Sequence, residues 1–341
     1  MEKKIDIHLH LSERPIPDGL GMKISSGAEM LPHLDELGIG FGIIMSSGET
    51  QAMFGSNASC RRIAEQYPDR YAWMCGLDET EPETVYERLK QYREEGAVGV
   101  GELAVNHRLD HPFLEAVFQA AIECLEKEHE EPLFLVVGFY GPHFPFTCEP
   151  SLYRHYKGLL GEEELTALDC EDEYLEYRQT FTMEKARNCK AAYYGQVETL
   201  DGYVGRLYDK FRQRSREQLF IYVSDHGEQL GKHGIFGKQT LYQESVRVPL
   251  LVAGTGVGPG TRHGQVSLLD VSKTILAEAG ADGSWHRGTA ISLDKEEEPR
   301  PPVVIQQMLD LGGENTALAE AVRSHTLAGE SGALESAAAR E

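Results

Sequence analysis

Paired cysteines are missing from this sequence. Its six, Cys60, Cys75, Cys124, Cys148, Cys170 and Cys189, form no Cys-x-x-Cys motif. That spacing argues against a zinc ribbon and against a small disulfide scaffold, and it leaves free thiols in a reducing compartment as the expectation. The opening residues, Met1-Glu2-Lys3-Lys4-Ile5-Asp6-Ile7-His8, contain no apolar signal-peptide core. The longest apolar runs, such as 133–137, are far too short to span a bilayer. The expected address is the cytoplasm, with no membrane partner. Basic residues are also scarce: 33 Lys and Arg stand against 55 Asp and Glu, for a net charge of −22. Such a surface repels nucleic acid and anionic membranes. It repels an anionic substrate at long range too, so any anion site has to be a local basic pocket. No internal repeat is present, and the pattern fixes no oligomeric state.

What is present is enough apolar material, 41% of 341 residues, for two domains or one large α/β unit. The first 122 residues alternate strand and helix. Strands are expected at 4–11, 39–45, 71–77 and 97–103. Helices are expected at 27–37, at 57–66 with Ser56 as N-cap, and at 80–95 with Gly96 closing the last turn. Four βα units in succession predict a parallel sheet or part of a (β/α)₈ barrel. A helix over 112–129 follows, then a continuous apolar run at 133–139 of the kind that forms a buried parallel strand. The stretch 142–182 reads as loop, 184–214 as a long helix, 219–224 and 249–253 as strands, 267–279 as a helix and 303–307 as a last short strand. Residues 324–341, rich in Ala, Ser and Glu, read as a disordered tail.

Two constellations carry chemistry. In Asp6-Ile7-His8-Leu9-His10, residues two apart on a strand share a face. His8 and His10 can therefore meet one metal at the strand's carboxyl end, where barrel enzymes place their chemistry. Glu102, at the end of the fourth strand, can offer a carboxylate to the same rim. A histidine pair on a strand is as often an ordinary core or surface pair, since two ligands do not make a site.

The second constellation begins where the strand at 219–224 delivers Asp225 and His226 into a loop, outside the sheet, where open α/β folds bind ligands. Gly227 beside them reads as the residue that lets the backbone turn sharply. His233 and Lys238 follow, and Lys238 is a point charge suited to a sulfate or phosphate oxygen. Upstream, His143 follows the apolar run and can donate to the same oxyanion or leaving group. Each alone is an ordinary turn or surface residue; it is the set that points to a site.

The Asp-x-His-x-His strand and its βα context, over about 3–122, resemble the opening of the metal-dependent amidohydrolase family. The resemblance implies His8, His10 and Glu102 as metal ligands, in a barrel whose later ligand strands are absent. Several motifs over about 124–322 resemble the sulfatase family of the alkaline-phosphatase superfamily. They are Gly141-Pro142-His143-Phe144-Pro145-Phe146, Tyr193-Tyr194-Gly195-Gln196-Val197-Glu198-Thr199-Leu200-Asp201, Ser224-Asp225-His226-Gly227-Glu228-Gln229-Leu230-Gly231-Lys232-His233-Gly234, Gly237-Lys238, and Tyr242-Gln243-Glu244-Ser245 running on to Leu250. The resemblance implies Asp225 and His226 as metal ligands, with His143 and Lys238, and less directly His233, holding a small sulfate or phosphate ester. The cofactor would be a divalent metal: Mn, Ca, Mg or Zn. An imidazole at 226 favours manganese, zinc or iron over calcium, which takes six to eight oxygens.

The family's paired-aspartate strand and its C-x-P-x-R or S-x-P-x-R nucleophile motif are not found. The nearest match is Cys148-Glu149-Pro150-Ser151-Leu152, with Leu where the family has Arg. The fold expected is therefore α/β, a partial (β/α) barrel half over 1–122 followed by a partial three-layer αβα sulfatase-like sheet over 123–323. The function expected is a metal-dependent hydrolase of sulfate, phosphate or phosphonate esters, impaired by the absent formylglycine motif. An amidohydrolase-like enzyme using His8 and His10, and a non-catalytic chimeric fragment, stand as alternatives.

Overall fold

The computed structural model describes residues 4–19, 22–50, 54–78, 81–101, 108–126, 133–214, 217–284 and 286–294, with Arg300, Val303 and Ile305. Glu102, most of the expected strand at 303–307 and the expected tail at 324–341 lie outside them. The chain forms two compact units, one of residues 1–160 and 188–215, the other of 161–187 and 216–341.

The first unit is built on a four-stranded parallel sheet. Its strands are β1 (Lys4–Leu9), β4 (Ile39–Met45), β5 (Tyr71–Cys75) and β6 (Gly99–Val100), in the order β1-β4-β5-β6. Each strand lies beside its predecessor in the sheet, which is the winding of a barrel and not of a doubly wound open sheet. A short antiparallel hairpin, β2 (Ile16–Gly19) with β3 (Met22–Ile24), interrupts the first crossover; the sequence pattern did not signal it. Helices α1 (Gly27–Glu36), α2 (Asn57–Gln66) and α3 (Val85–Glu94) supply the connections.

These elements form where local chemistry and burial agree. Helix α1 opens on a reciprocal capping box, in which Ser26 accepts from the Glu29 amide and Glu29 accepts from the Ser26 amide. Ser56 caps α2 as expected. Gly96 takes φ +94° just beyond α3, a conformation that a residue with a Cβ adopts only with strain. Residues 82–84, expected as the first turn of that helix, tighten instead into a 3₁₀ turn that starts at Pro82. Leu9, Leu11, Ile44, Tyr71, Trp73 and Cys75 pack against Leu34, Cys60 and Ile63 of α1 and α2 in one apolar core.

Helices α4 (Pro112–Glu126), α5 (Pro150–Leu159) and most of α6 (Met183–Phe211) complete this unit. The run at 133–139 corrects the expectation. It is not a strand, and Phe134 and Val136 are 71% and 72% exposed. An apolar run becomes a buried strand only when neighbouring strands take up its backbone groups, and among the described residues none pairs with it. Leu135, Val137 and Phe139 are half-buried, and Phe139 lies beside Phe118 and Tyr203. Helix α5, inside the stretch expected as loop, is a second correction. Glu149 is its N-cap and Pro150 stands in its first turn, where proline is favoured.

The second unit pairs β7 (Leu219–Val223) antiparallel with β8 (Leu250–Gly254) over five residues each. It also contains the short α7 (Gln243–Val246) and α8 (Leu268–Glu278). Asp270 anchors α8: it completes a capping box with Ser267, accepts from the Thr289 amide at 2.8 Å and pairs with Arg300 at 3.0 Å. Among the described residues, no helix is long and apolar enough to cross a membrane.

Candidate active site

Strand β7 ends at Val223 and releases Ser224, Asp225 and His226 at its carboxyl end. The His226 amide donates to Asp225 Oδ1 at 2.9 Å, and Ser224 Oγ donates to the His226 carbonyl at 2.9 Å. These bonds fold the two side chains toward each other, so that His226 Nε2 stands 3.5 Å from Asp225 Oδ2. His226 Nδ1 lies 2.9 Å from the Gly227 carbonyl. A carbonyl only accepts, so that contact places the ring proton on Nδ1 and makes Nε2 the lone-pair nitrogen, the arrangement metal-binding imidazoles use.

Metal bonds of about 2.0–2.2 Å to nitrogen and oxygen set two tetrahedral ligands of one ion roughly 3.3–3.6 Å apart. The Asp225–His226 separation falls in that range, and Asp225, 82% exposed, is open to an ion. Nitrogen with carboxylate suits manganese or zinc better than calcium. The pair fits a divalent metal in chemistry and spacing but supplies only two ligands. Among the described residues, no group of three or more His, Cys, Asp or Glu side chains gathers to hold an ion.

The loop that follows is closed by a dense set of hydrogen bonds around the buried Ile235 and the Phe181–Phe236 contact. Glu228 accepts from the amides of Leu230 at 3.1 Å and Gly237 at 2.6 Å. The Gln229 amide donates to the Gly237 carbonyl at 3.0 Å, and the Gly231 amide to Ile235 at 2.8 Å. Gln229, 1% exposed, donates its side-chain amide to Thr240. Ser245 joins the two ends, since its carbonyl accepts from the Gly227 amide at 2.7 Å and its hydroxyl donates to the Lys238 carbonyl. In this way the backbone beside His226 and the backbone of Lys238 are fastened to one residue. Gly227 does not take a positive φ, so its role differs from the sharp turn expected of it. A Cβ there would overlap the Glu244 carbonyl oxygen, and glycine is needed for close approach.

His233 is held on every side. Nδ1 is 2.8 Å from the Asp169 carbonyl, Nε2 is 3.6 Å from Glu244, and the ring stacks on Tyr242 at 3.8 Å. Burial pulls the Glu244 carboxyl up, but Lys232, a backbone amide and His233 outweigh it and hold the group below the ordinary carboxylate range. Glu228, Gln229, Glu244 and Ser245 all lie inside the sequence motifs, yet motif reading gave roles only to the residues with metal or anion chemistry.

His143 belongs to the first unit. It lies between Tyr140 and Phe144, with Nδ1 2.8 Å from the Phe144 carbonyl. The second unit thus contains Asp225, His226, His233 and Lys238, and the first contains His143. The first unit also holds His8 and His10, side by side at the carboxyl end of β1. Their Nε2 atoms are 3.2 Å apart, with His10 packed on Phe54. That separation also suits two ligands of one ion. Their expected third partner, Glu102, is outside the described residues. Cys148, in the nearest match to a nucleophile motif, packs against Gly195. Burial first, then Glu149, raises its thiol pKa. Its Cys-x-Pro pattern is the entry to α5.

Comparison with known proteins places these residues among relatives. The family model described as Sulfatase matches residues 48–281, more than two thirds of the chain. The match begins upstream of residue 124, where the motifs first carried the resemblance. The choline-sulfatase of Rhizobium meliloti (strain 1021) is 32% identical over 168 residues, which cover 46% of this chain and 33% of that protein. A multifunctional alkaline phosphatase superfamily protein of Trinickia caryophylli is 28% identical over 232 residues, covering 57% of this chain and 45% of that protein. Among solved structures, the phosphonate monoester hydrolase of Agrobacterium radiobacter superposes with a TM-score of 0.50 at 19% identity, over 67% of this chain and 53% of that one; the likeness is one of fold. The chain spans about a third to a little under half the length of these curated relatives.

Proposed function

The chain belongs to the sulfatase family, and from that premise we propose that it is a metal-dependent hydrolase of sulfate, phosphate or phosphonate esters with impaired turnover. Asp225 and His226 would hold a divalent cation, manganese or zinc before calcium or magnesium. Lys238 would hold the ester oxygens, with His233 fixing the loop around it; His143, in the first unit, is the motif's other candidate for that role. The bound metal would polarise the ester and stabilise charge as the bond breaks. The observation that carries the reading is the Asp225–His226 pair, its donors 3.5 Å apart with the imidazole proton fixed away from Nε2. Impairment follows from the sequence: no formylglycine motif is found, and Cys148 has the environment of a packed thiol. We further propose that 1–122 and 123–323 are separate evolutionary pieces, joined within the helix that begins at Pro112.

Calorimetric titration of the full chain with Mn²⁺, beside an aryl sulfate and an aryl phosphonate assay, tests the proposal. Asp225→Ala and His226→Ala should each weaken Mn²⁺ binding by at least tenfold, and Lys238→Ala should abolish whatever turnover is present. Binding and turnover that survive all three substitutions would sink the reading. A second reading rests on the His8–His10 pair, an amidohydrolase-like centre; loss of bound zinc in His8→Ala but not in His226→Ala would favour it. Absence of both metal and turnover leaves a non-catalytic chimera.

A further inference from the structure

In its central strands β4 and β5 the parallel sheet of the first unit is apolar on both faces, while the edge strand β1 alternates with Lys4, Asp6 and His8; among the described residues helices pack on only one face. Residues paired across parallel strands point to the same side. Leu9, Ile44 and Trp73 fall on the helix side and are buried. Ile43 pairs with Ala72 on the other side, and a register shift between Asp6 and Leu9 puts Ile5, paired with Phe41, on that side as well. There Ile5 is 59% exposed, and Phe41, Ile43 and Ala72 are only half-buried. The hairpin shields just the carboxyl end of this face, where Ile24 and Phe54 pack on Met45. Sheets with one face in water alternate apolar and polar residues, whereas β4, Ile39-Gly40-Phe41-Gly42-Ile43-Ile44-Met45, has no polar side chain at all.

The two edges point the same way. β1 and β6 are the outer strands. Ile7 beside one edge is 67% exposed, and Val98 and Val100 at the other are 59% and 40% exposed. Open, apolar edges of this kind are normally blunted or paired. Four parallel strands wound in sequence are half of the eight that close a barrel.

We propose that the occupant of this face and of both edges is a second copy of the same chain. A two-fold axis along the barrel axis sets β6 of one copy beside β1 of its partner, twice over. The two seams are identical by symmetry, so the contact closes on itself and does not propagate. All eight strands run parallel, and the half-exposed inner faces become one filled core. Ile5, Ile7, Val98 and Val100 leave roughly 400 Å² of surface per copy in water. The inner face and the newly paired backbone edges bring the buried area toward the roughly 800 Å² per partner that stable dimers use. A single chain has no other way to pair β1 with β6, because the two lie about 14 Å apart across three strand spacings.

Sedimentation velocity on the full chain, with a cysteine pair across the seam, tests this. The chain should sediment as a dimer at about 10 µM, and Ile7→Lys with Val100→Lys should raise the dissociation constant at least roughly tenfold with an unchanged circular dichroism spectrum. Oxidation of the Ile7→Cys, Val100→Cys double variant should give a covalent dimer that neither single variant gives. The cross-link cannot form within one chain, since a disulfide bridges Cα atoms at most about 7 Å apart. If the lysine variant fails to fold, the cysteine pair decides alone. A chain that stays monomeric throughout overturns the proposal. So does a dimer that tolerates both lysines and forms no cross-link, which would place association on another surface or leave the face to a different partner.

Discussion

The two units hold themselves together by different means. In the first, the fully buried side chains are mostly apolar, Leu11, Ile44, Cys60, Val85 and Phe113, with Trp73 almost as deep and Ser46 the polar exception. The second buries a larger share of polar groups, Gln229, Thr240, Ser245, Asp270 and Thr274, beside Ile235, Leu165 and Val271, while Leu251 of its two-stranded sheet stays 62% exposed. The first is a core that needs several strands and helices at once. The second is a loop whose shape is written in about twenty residues of mutual hydrogen bonding. A locally specified loop can keep its geometry when the sheet beneath it is short, as β7 and β8 are at five residues each.

The sharpest way to break this contrast is to remove the core. Trp73→Ala should cost about 3–5 kcal/mol and abolish amide-exchange protection across β4 and β5. The Gly227 and Gly237 amides should remain protected; if they exchange as fast, the loop is not independently specified. A smaller effect is expected from Glu228→Ala, which strands two backbone amides at about 1–3 kcal/mol. Exchange at Leu230 and Gly237 should rise while the sheet is untouched, and Mn²⁺ affinity at Asp225 and His226 should fall with it.

The mildest is acid. Burial raises the Glu244 and Asp270 carboxyls, but backbone amides and the partners Lys232 and Arg300 more than reverse this, and both titrate below the ordinary range. A depressed carboxyl gives stability that is present above its unfolded value of about 4 and lost as pH falls through the folded value. Exchange in the second unit should therefore rise at pH 3–4 before exchange in β4 does. Glu13 and Glu115 in the first unit are depressed by Arg62 and Arg206, but these pairs are exposed and screened. Equal acid sensitivity in both units would erase the distinction.

The same contrast governs what could be read in advance. β4 and α2 were legible to the residue, because apolar pattern, cap and burial agree there. The run at 133–139 misled because its composition describes a strand's interior while strandedness depends on a neighbour elsewhere in the chain. Cys148-Glu149-Pro150 has the outline of a nucleophile motif and is a helix start, since cap and motif share the same residue types. The adjacency of Asp225 and His226 at the end of β7 was legible from strand-end placement. The support given by Ser245 was not, because it acts through its carbonyl and its hydroxyl hydrogen, groups that sequence patterns do not distinguish.

Gly227 is where this support is thinnest. Only a hydrogen atom separates its α-carbon from the Glu244 carbonyl, so the position works as a feeler gauge. Alanine at 227 would wedge the strand end away from Ser245 and slacken the tether to Lys238 in one move. A population of variants ranked by activity should therefore treat position 227 as intolerant even of the smallest side chain, although the residue touches neither metal nor ester.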